Sequence, residues 1–284
     1  MSSPGSLRRW RPFLTGHLPV LPFVVFALFP FYHMAVTSLK SDPELYNPLK
    51  APLWIQDGPT LAHYQLLAQE TLFPRWYLNT LAVSGLTTCL SVAIGILAAY
   101  ALARLRFPGV IPFGVAIFIT YLVPPTLLFL PLAIVVNQLG LSDSLWSLVV
   151  TYPTFLVPFN TWLLMGYLRT IPKEIEECAM IDGCNRVQVL LRIVIPVAMP
   201  GIICALLFSF TFSWGEFLYS LVFISSTERR TLAVGVVSDL IRGDVFYWGS
   251  LMAGAVLASL PIVIVYVFFM DYYVKGLTAG SVKG

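Results

Sequence analysis

The sequence predicts an all-α membrane protein with six transmembrane helices. Three observations support this prediction: the apolar composition, six stretches without charge, and the distribution of lysine and arginine between those stretches. Of the 284 residues, 58% are hydrophobic and 11% are charged, whereas soluble domains are about 45–50% apolar and about 25% charged. So few charged residues cannot cover a water-facing surface. The composition therefore disfavours a soluble enzyme, a disordered chain and a disulfide-stabilised scaffold.

Six charge-free stretches are each long enough to cross a membrane. A bilayer core of about 30 Å takes about 20 helical residues at about 1.5 Å each. The stretches are residues 18–39, 79–103, 107–142, 144–168, 193–215 and 245–270. The third has room for one span and a re-entrant or outer piece. Because backbone N–H and C=O groups cannot stay unbonded in lipid, we expect helices and not an open sheet.

Prolines interrupt five of the six stretches. Pro124, Pro125 and Pro131 lie in the third stretch, and Pro153 and Pro158 lie in the fourth. Each proline removes a helical hydrogen bond and tends to kink or break the helix. Kinked and broken helices suit a bundle that lines a pathway and moves.

Lysine and arginine are more numerous in one set of the segments that connect the spans. If the N-terminus is cytoplasmic, the inner segments hold 11 of the 17 lysine and arginine residues and the outer segments hold 6. Positive residues concentrate on the cytoplasmic side, so we expect both termini there. The chain then divides into a cytoplasmic segment 1–17, a transmembrane domain 18–273 and a cytoplasmic tail 274–284. The net charge is only +3 without a long basic run, so we expect no nucleic acid partner.

The largest inner loop, residues 169–192, holds eight of the 31 charged residues. Pro172 can open a short helix, and Asp182 with Gly183 can end it. In a second helical stretch, apolar residues recur at spacings of three and four: Val187, Leu190, Leu191 and Val194. The sequence therefore predicts a short helix–turn–helix across the cytoplasmic face.

The residues alone leave two interpretations of this helix–turn–helix open. A short amphipathic helix can dock in the groove of a partner protein, or it can lie on the membrane surface without a partner. The first turn is acidic, with Glu174, Glu176 and Glu177, and this is unfavourable beside anionic lipid.

The same loop contains a motif with defined spacing. Residues 177–179, Glu-Cys-Ala, are followed after three residues by Gly183 and after nine more by Ile-Val-Ile-Pro at 193–196. This pattern resembles the EAA signature of binding-protein-dependent ABC importer permeases, which is Glu-Ala-Ala, three residues, Gly, nine residues and Ile-x-Leu-Pro. Cys178 replaces the first Ala and Ile195 replaces the Leu, and both changes are small or conserve volume.

Other segments resemble the maltose-type carbohydrate permeases within that family. Residues 99–104, Ala-Tyr-Ala-Leu-Ala-Arg, and Phe-Pro-Gly at 107–109 are similar to the turn Ala-Tyr-Ala-x-Ala-Arg…Phe-Pro-Gly. Residues 213–217, Ser-Trp-Gly-Glu-Phe, resemble Ser-Trp-Asn-Glu-Phe, with Gly215 in place of Asn. The ending at 274–284 is close to Gly-Leu-Thr-x-Gly-x-Val-Lys-Gly, so the resemblance covers the chain nearly from end to end.

The resemblance implies the type I ABC importer permease fold in a bacterial cytoplasmic (inner) membrane. Such a permease does no chemistry and holds no cofactor, since ATP and Mg²⁺ bind to a separate ATPase dimer. In agreement, the sequence has no G-x-x-x-x-G-K-[ST] phosphate loop. A second, non-identical permease subunit and an external substrate-binding protein complete such an importer. The implied solute is a carbohydrate: a sugar, a disaccharide or a polyol.

The resemblance also assigns roles to residues. The EAA helix is the coupling helix, which sits in a cleft of the ATPase. The implied ATPase-coupling residues are Ile175, Glu177, Cys178, Ala179, Asp182 and Gly183. The tail reaches toward the ATPase dimer, and its implied contact residues are Gly276, Leu277, Thr278, Gly280 and Lys283.

Aromatic and hydrogen-bonding side chains in the spans are candidates for a sugar pathway. Glu216 is the only acidic residue between Ile193 and Ile224, and an ionisable group within a membrane predicts a functional site. The candidate pathway residues are Asn79, Tyr121, Asn137, Asn160, Trp214, Glu216 and Tyr219. The four cysteines lack metal-ligand spacing, so we expect no metal site. We also expect no catalytic residues in this chain.

An ion- or proton-coupled secondary transporter and an intramembrane enzyme are the alternatives. The transporter would need internal repeats and buried ionisable residues. The enzyme would need paired carboxylates, metal ligands or a Ser/His set inside the spans. The six stretches contain almost none of these residues, so the importer permease is the preferred interpretation.

Overall fold

The computed structural model describes residues 18–243 and 245–278, which are predominantly α-helical. The chain divides into two compact units. The first consists of the residues up to Thr71 together with Asp239–Ser259, and the second consists of Leu72–Ser238 and the residues from Leu260 onward.

The elements follow one another closely along the chain. The first eight helices are α1 (Leu21–Ser38), α2 (Asp42–Leu45), α3 (Ala62–Gln69), α4 (Phe73–Arg104), α5 (Val110–Leu122), α6 (Pro125–Gln138), α7 (Leu145–Thr151) and α8 (Pro153–Leu168). The later elements are α9 (Glu174–Ile181), α10 (Arg186–Val189), a π-helix (Leu190–Val194), α11 (Ile195–Val197), α12 (Met199–Trp214), α13 (Leu218–Phe223), a 3₁₀ turn (Thr227–Arg229), α14 (Leu232–Leu240), β1 (Ile241–Arg242), β2 (Val245–Phe246) and α15 (Trp248–Thr278).

Four helical segments of the described chain are individually long and apolar enough to cross a membrane. They are α1, α4, the combined segment α7–α8 and the part of α15 up to Val274. Two more qualify as bent pairs: α5 with α6, at 99°, and Arg186–Val197 with α12, at 77°. The six charge-free stretches thus correspond to four segments and two bent pairs. The count of six spans holds if each bent pair crosses the membrane once.

Proline lies at both bends. Val123, which precedes Pro124, has an extended backbone with ψ 120°, and Pro124, which precedes Pro125, has ψ 129°. A residue before proline is driven out of the helical region, so α5 ends here and α6 begins at Pro125. At the second bend, Pro200 lies in the first turn of α12, where its missing N–H costs no helical hydrogen bond.

The second unit has a core in which α4 packs against α8 and α12. Two glycines allow this close approach. A Cβ added at Gly95 would lie 2.7 Å from the Asn160 Cβ, and one added at Gly201 would lie 2.5 Å from the Tyr167 ring. Small residues at helix contacts let backbones pack closely within membranes, so α4 and α12 are held tightly to α8.

The first unit contains a connection between α1 and α3 that is held by a buried ion pair. Lys40 and Glu44 are both buried, and the Lys40 Nζ lies 3.7 Å from the Glu44 Oε1. The Glu44 carboxylate also accepts the backbone N–H groups of Gln56, at 2.9 Å, and Asp57, at 3.2 Å. Burial raises the pKa of Glu44, but these two donors and the Lys40 ammonium outweigh it and hold that pKa below its ordinary value.

Asp143 organises the turn between α6 and α7 in the second unit. Its carboxylate accepts the Ser226 hydroxyl, the Ser226 backbone N–H at 2.8 Å and the Ser225 backbone N–H at 3.0 Å. The Arg229 Nη1 lies 3.3 Å from the Asp143 Oδ2. The Ser226 hydroxyl first, and then these other groups, lower the pKa of Asp143 to about 2. The turn is therefore tied to the segment after α13 by a carboxylate that stays ionised at neutral pH.

Candidate functional site

Helix α9 lies in the charged loop 169–192 that was identified from the sequence. Pro172 directly precedes Lys173, the residue that caps the helix, and the first turn holds Glu174, Glu176 and Glu177. Carboxylates are favourable at the positive end of a helix dipole. The predicted start of this helix, close to Pro172, is confirmed.

The end of α9 is also confirmed at Asp182 and Gly183. Gly183 has φ +93°, a left-handed conformation that residues with side chains disfavour. Its backbone N–H donates to the Met180 carbonyl at 3.1 Å, and the Cys184 N–H donates to the Ala179 carbonyl at 3.0 Å. This is the Schellman arrangement of hydrogen bonds, which turns the chain sharply toward α10.

The buried carboxylate of Glu176 attaches α9 to the end of α4. Its Oε1 accepts the Arg104 Nε at 2.5 Å, and its Oε2 accepts the Tyr100 hydroxyl at 3.2 Å. The side chains of Arg104 and Glu176 are only 4% and 6% exposed. A charge-assisted hydrogen bond in such a dehydrated setting fixes α9 to α4 firmly.

Arg104 also binds the end of α8. Its Nη2 donates to the carbonyl oxygens of Leu168 and Ile171, each at 2.8 Å. The last carbonyls of a helix have no partner within the helix, and a cation is favourable beside them. One guanidinium therefore holds together the C-terminal ends of α4 and α8 and the first turn of α9.

Most of the predicted ATPase-coupling residues face outward from this attachment. Glu177, Cys178, Asp182 and Gly183 are exposed, and Ile175 is 42% exposed. Ala179 is buried in the core beneath the helix. Ile181 was not among the residues predicted from the sequence, and its apolar side chain is 85% exposed.

The apolar residues of the second helical stretch lie in two different environments. Leu190 and Val194 are buried, together with Val189, whereas Val187 is 64% exposed and Leu191 is 58% exposed. The segment Leu190–Val194 is a π-helix, which has more residues per turn than an α-helix. The predicted α-helical spacing of three and four residues therefore does not hold through it.

A polar cavity of about 390 Å³ opens beside this attachment. Its lining residues are Arg104, Arg106, Lys173, Glu176, Glu177, Met180 and Arg186. Of the predicted tail residues, Gly276, Leu277 and Thr278 fall within the backbone of α15. Gly280 and Lys283 lie outside the described residues.

An aromatic cavity, also of about 390 Å³, lies between the helices of the second unit. Its lining residues are Thr120, Tyr121, Val123, Pro125, Thr126, Phe155, Leu156, Phe159, Phe212, Glu216, Leu218 and Tyr219. Three predicted pathway residues, Tyr121, Glu216 and Tyr219, therefore meet around one space. Apolar and aromatic walls with a few polar groups are typical of small-molecule sites.

Glu216 lies in the break between α12 and α13, where its carboxylate is well supplied with donors. Its Oε1 accepts the Tyr219 backbone N–H at 2.8 Å. Its Oε2 accepts the Tyr152 hydroxyl at 2.8 Å and the Ser220 backbone N–H at 3.3 Å. Tyr152 was not among the residues predicted from the sequence, since nothing in its local pattern distinguishes it from an interfacial tyrosine.

The other four predicted pathway residues lie elsewhere. Asn79 donates to the carbonyls of Glu228 and Arg230, at 2.9 and 3.0 Å. Asn137 is exposed, and Asn160 is fully buried with its Oδ1 accepting the Ser209 hydroxyl at 2.9 Å. Trp214 is buried against the rings of Tyr77 and Phe210. Among the described residues, no group of His, Cys, Asp or Glu could hold a metal ion.

Comparisons with known proteins agree with this arrangement. Residues 91–279 match the family described as binding-protein-dependent transport system inner membrane component. The chain is 37% identical to the inner membrane ABC transporter permease protein YcjP of Escherichia coli, over 92% of this chain and 93% of that protein. It is 33% identical to the trehalose/maltose transport system permease protein MalG of Thermococcus litoralis, again over 92% of this chain and 93% of that protein.

The fold is shared with solved structures as well. A crystal structure of a bacterial ABC transporter involved in the import of the acidic polysaccharide alginate aligns with a TM-score of 0.79, at 23% identity, over 95% of this chain and 100% of that chain. The fold is thus that of an ABC importer permease. The family match extends over more than half of the sequence, and the relatives cover nearly all of it. This chain therefore belongs to the family of binding-protein-dependent transport system inner membrane components.

Proposed function

We propose that this chain is one of two non-identical permease subunits of an ATP-driven importer and that α9 is its coupling helix. A separate ATPase dimer binds ATP and Mg²⁺ and receives α9. The main support for the proposal is that α9 has one buried, attached side and one exposed side. One side is fixed to α4 and α8 through Glu176, and the other side presents Ile175, Glu177 and Ile181 outward.

Physical reasoning favours a protein partner over a bare membrane surface. An isolated helix of eight residues is not stable in water, since helices shorter than about 12–15 residues are marginal. Tertiary contacts hold α9 in place, so it is a rigid protrusion. Exposed apolar side chains rimmed by charged residues mark docking sites, and the carboxylates around Ile175 and Ile181 are unfavourable beside anionic lipid.

The proposed orientation follows from the charge distribution. Lysine and arginine are concentrated in the segments that lie inside if both termini are cytoplasmic. This orientation puts α9 at the cytoplasmic face, where ATP is available. The turn at Asp143 then faces the external binding protein that delivers the solute.

The proposed solute is a carbohydrate. The relative from Thermococcus litoralis is named for trehalose and maltose, and the aromatic cavity offers the rings of Tyr121, Phe155 and Phe159 together with polar groups. The carboxylate of Glu216 already accepts three hydrogen bonds. That arrangement supports a structural role for this group within the membrane and gives no support to the alternative of an ion-coupled transporter.

The mechanism is a shift in population between two states of the helix bundle. Closure of the ATPase dimer on ATP moves the coupling helices of the two permeases and favours the outward-facing state. The bent pairs α5–α6 and Arg186–Val197 with α12 are broken helices of the kind that moving pathways use.

Copurification tests the proposal. A flexible Gly-Ser linker of equal length replaces residues 172–183, and the partner ATPase is purified with the chain from membranes. We expect the ATPase to copurify with the wild type and to be lost from the linker variant, while the amount of chain in the membrane stays similar. Equal recovery of the ATPase with both chains would refute the role of α9.

A further inference from the structure

We propose that Arg104 is a positioning residue for transport, which makes α4, α8 and α9 move as one body when the ATPase moves α9. The inference rests on the proposed function and deepens it. Three helices and one turn meet here: the end of α4 supplies Arg104, the end of α8 supplies the Leu168 carbonyl, the following turn supplies the Ile171 carbonyl, and α9 supplies Glu176.

The attachment is specific to arginine. The Nε and Nη2 groups point in different directions, toward Glu176 at 2.5 Å and toward two carbonyls at 2.8 Å. A guanidinium holds its donors in a rigid planar fork, whereas a lysine ammonium is a single point on a flexible chain. Tyr100, which is one helical turn before Arg104, binds the second oxygen of Glu176 at 3.2 Å and orients this carboxylate.

Stability alone does not account for this buried pair. Both side chains are almost fully removed from solvent, and apolar residues of similar volume often stabilise a protein as well as a buried ion pair does. What the pair provides is a unique geometry at a junction of three helices. Among the ion pairs in the described part of the chain, this is the one that includes a residue of α9.

Loss of the attachment lets α9 follow the ATPase without carrying α4 and α8 along. The complex still assembles, because Ile175, Glu177 and Ile181 remain outward-facing. Closure of the ATPase dimer on ATP then moves α9 but no longer moves the membrane helices. The property that changes is the number of solute molecules imported per ATP hydrolysed, which a purely structural role would leave constant for each assembled complex.

The test uses the complete importer in proteoliposomes, with its binding protein and radiolabelled solute. We expect Arg104→Gln and Glu176→Gln to lower solute imported per ATP by about tenfold, within the usual range of coupling energies. The matched control is the exposed neighbour Arg106→Gln, which keeps the wild-type ratio. A wild-type ratio in Arg104→Gln would overturn the proposal.

Two further variants keep the test decisive. Arg104→Lys retains the charge in case the glutamine variant does not assemble, and we expect it to lower the ratio as well. The double exchange R104E/E176R restores opposite charges but leaves the Leu168 and Ile171 carbonyls without a donor, so we expect no rescue. A wild-type ratio in either variant would overturn the proposal. Absence of ATP-driven uptake by the wild type would overturn the proposed function, and this inference with it.

Discussion

Replacing Gly183 by valine isolates the contribution of the turn that ends α9. Gly183 has φ +93°, and a residue with a side chain costs about 1–2 kcal/mol more there than glycine. A Cβ at this position meets nothing within 4 Å, so backbone strain is the whole effect. That cost corresponds to a factor of about 5–30 in the population of the native turn.

Hydrogen exchange and transport together measure the consequence. We expect Gly183→Val to speed amide exchange in residues 174–189 and to lower ATP-driven uptake, while the chain still inserts into the membrane. Gly58→Val is the matched control, because Gly58 has φ +92°, also has no atom within 4 Å of its added Cβ, and lies in the first unit. Normal exchange in 174–189 and normal uptake by Gly183→Val would show that the turn at Gly183 does not stabilise α9 for transport.

Three other substitutions have separate expected outcomes. Ile181→Asp places a charge on a side chain that is 85% exposed, and we expect it to reduce copurification of the ATPase. The control Leu49→Asp, at a 92% exposed position of the first unit, does not reduce it. An equal loss of copurified ATPase in both variants would contradict the docking role of Ile181. Gly201→Val overpacks a site where an added Cβ would lie 2.5 Å from the Tyr167 ring, and we expect it to lower the stability of the fold by about 1–3 kcal/mol. An unchanged melting temperature in detergent would contradict the close packing of α12 on α8. The pKa of Asp143 is lowered from 3.8 to about 2, so its stabilising bonds are complete above about pH 4 and lost as the pH falls through about 2. Protection factors in its turn should be constant between about pH 5 and 8 and lower in Asp143→Asn, and equal protection in the variant would contradict the role of the carboxylate.

The membrane helices and the ends of α9 could be predicted because their signals are local. Absence of charge over about 20 residues indicates a span, and consecutive prolines account for the break after Val123. Pro172, Asp182 and Gly183 define α9 through capping chemistry that acts within one turn. The helix boundaries still differ from the charge-free stretches, since α4 begins at Phe73 and includes Arg75.

The contacts that position the candidate site could not be predicted, because they join residues far apart in the chain. Arg104 and Glu176 are 72 positions apart, and Tyr152 and Glu216 are 64 apart. No periodicity in a single sequence indicates such a pair. The π-helix Leu190–Val194 could not be predicted, because its apolar spacing also fits an α-helix.

We propose that this chain imports a carbohydrate with energy received from a separate ATPase at α9. The most direct measurement is uptake into proteoliposomes that contain both permeases and the ATPase, with ATP inside and the loaded binding protein outside. We expect uptake only when ATP and binding protein are both present, and we expect uptake to be lost when a flexible linker replaces residues 172–183. Uptake driven by an ion gradient without ATP, or undiminished uptake by the linker variant, would contradict the proposal.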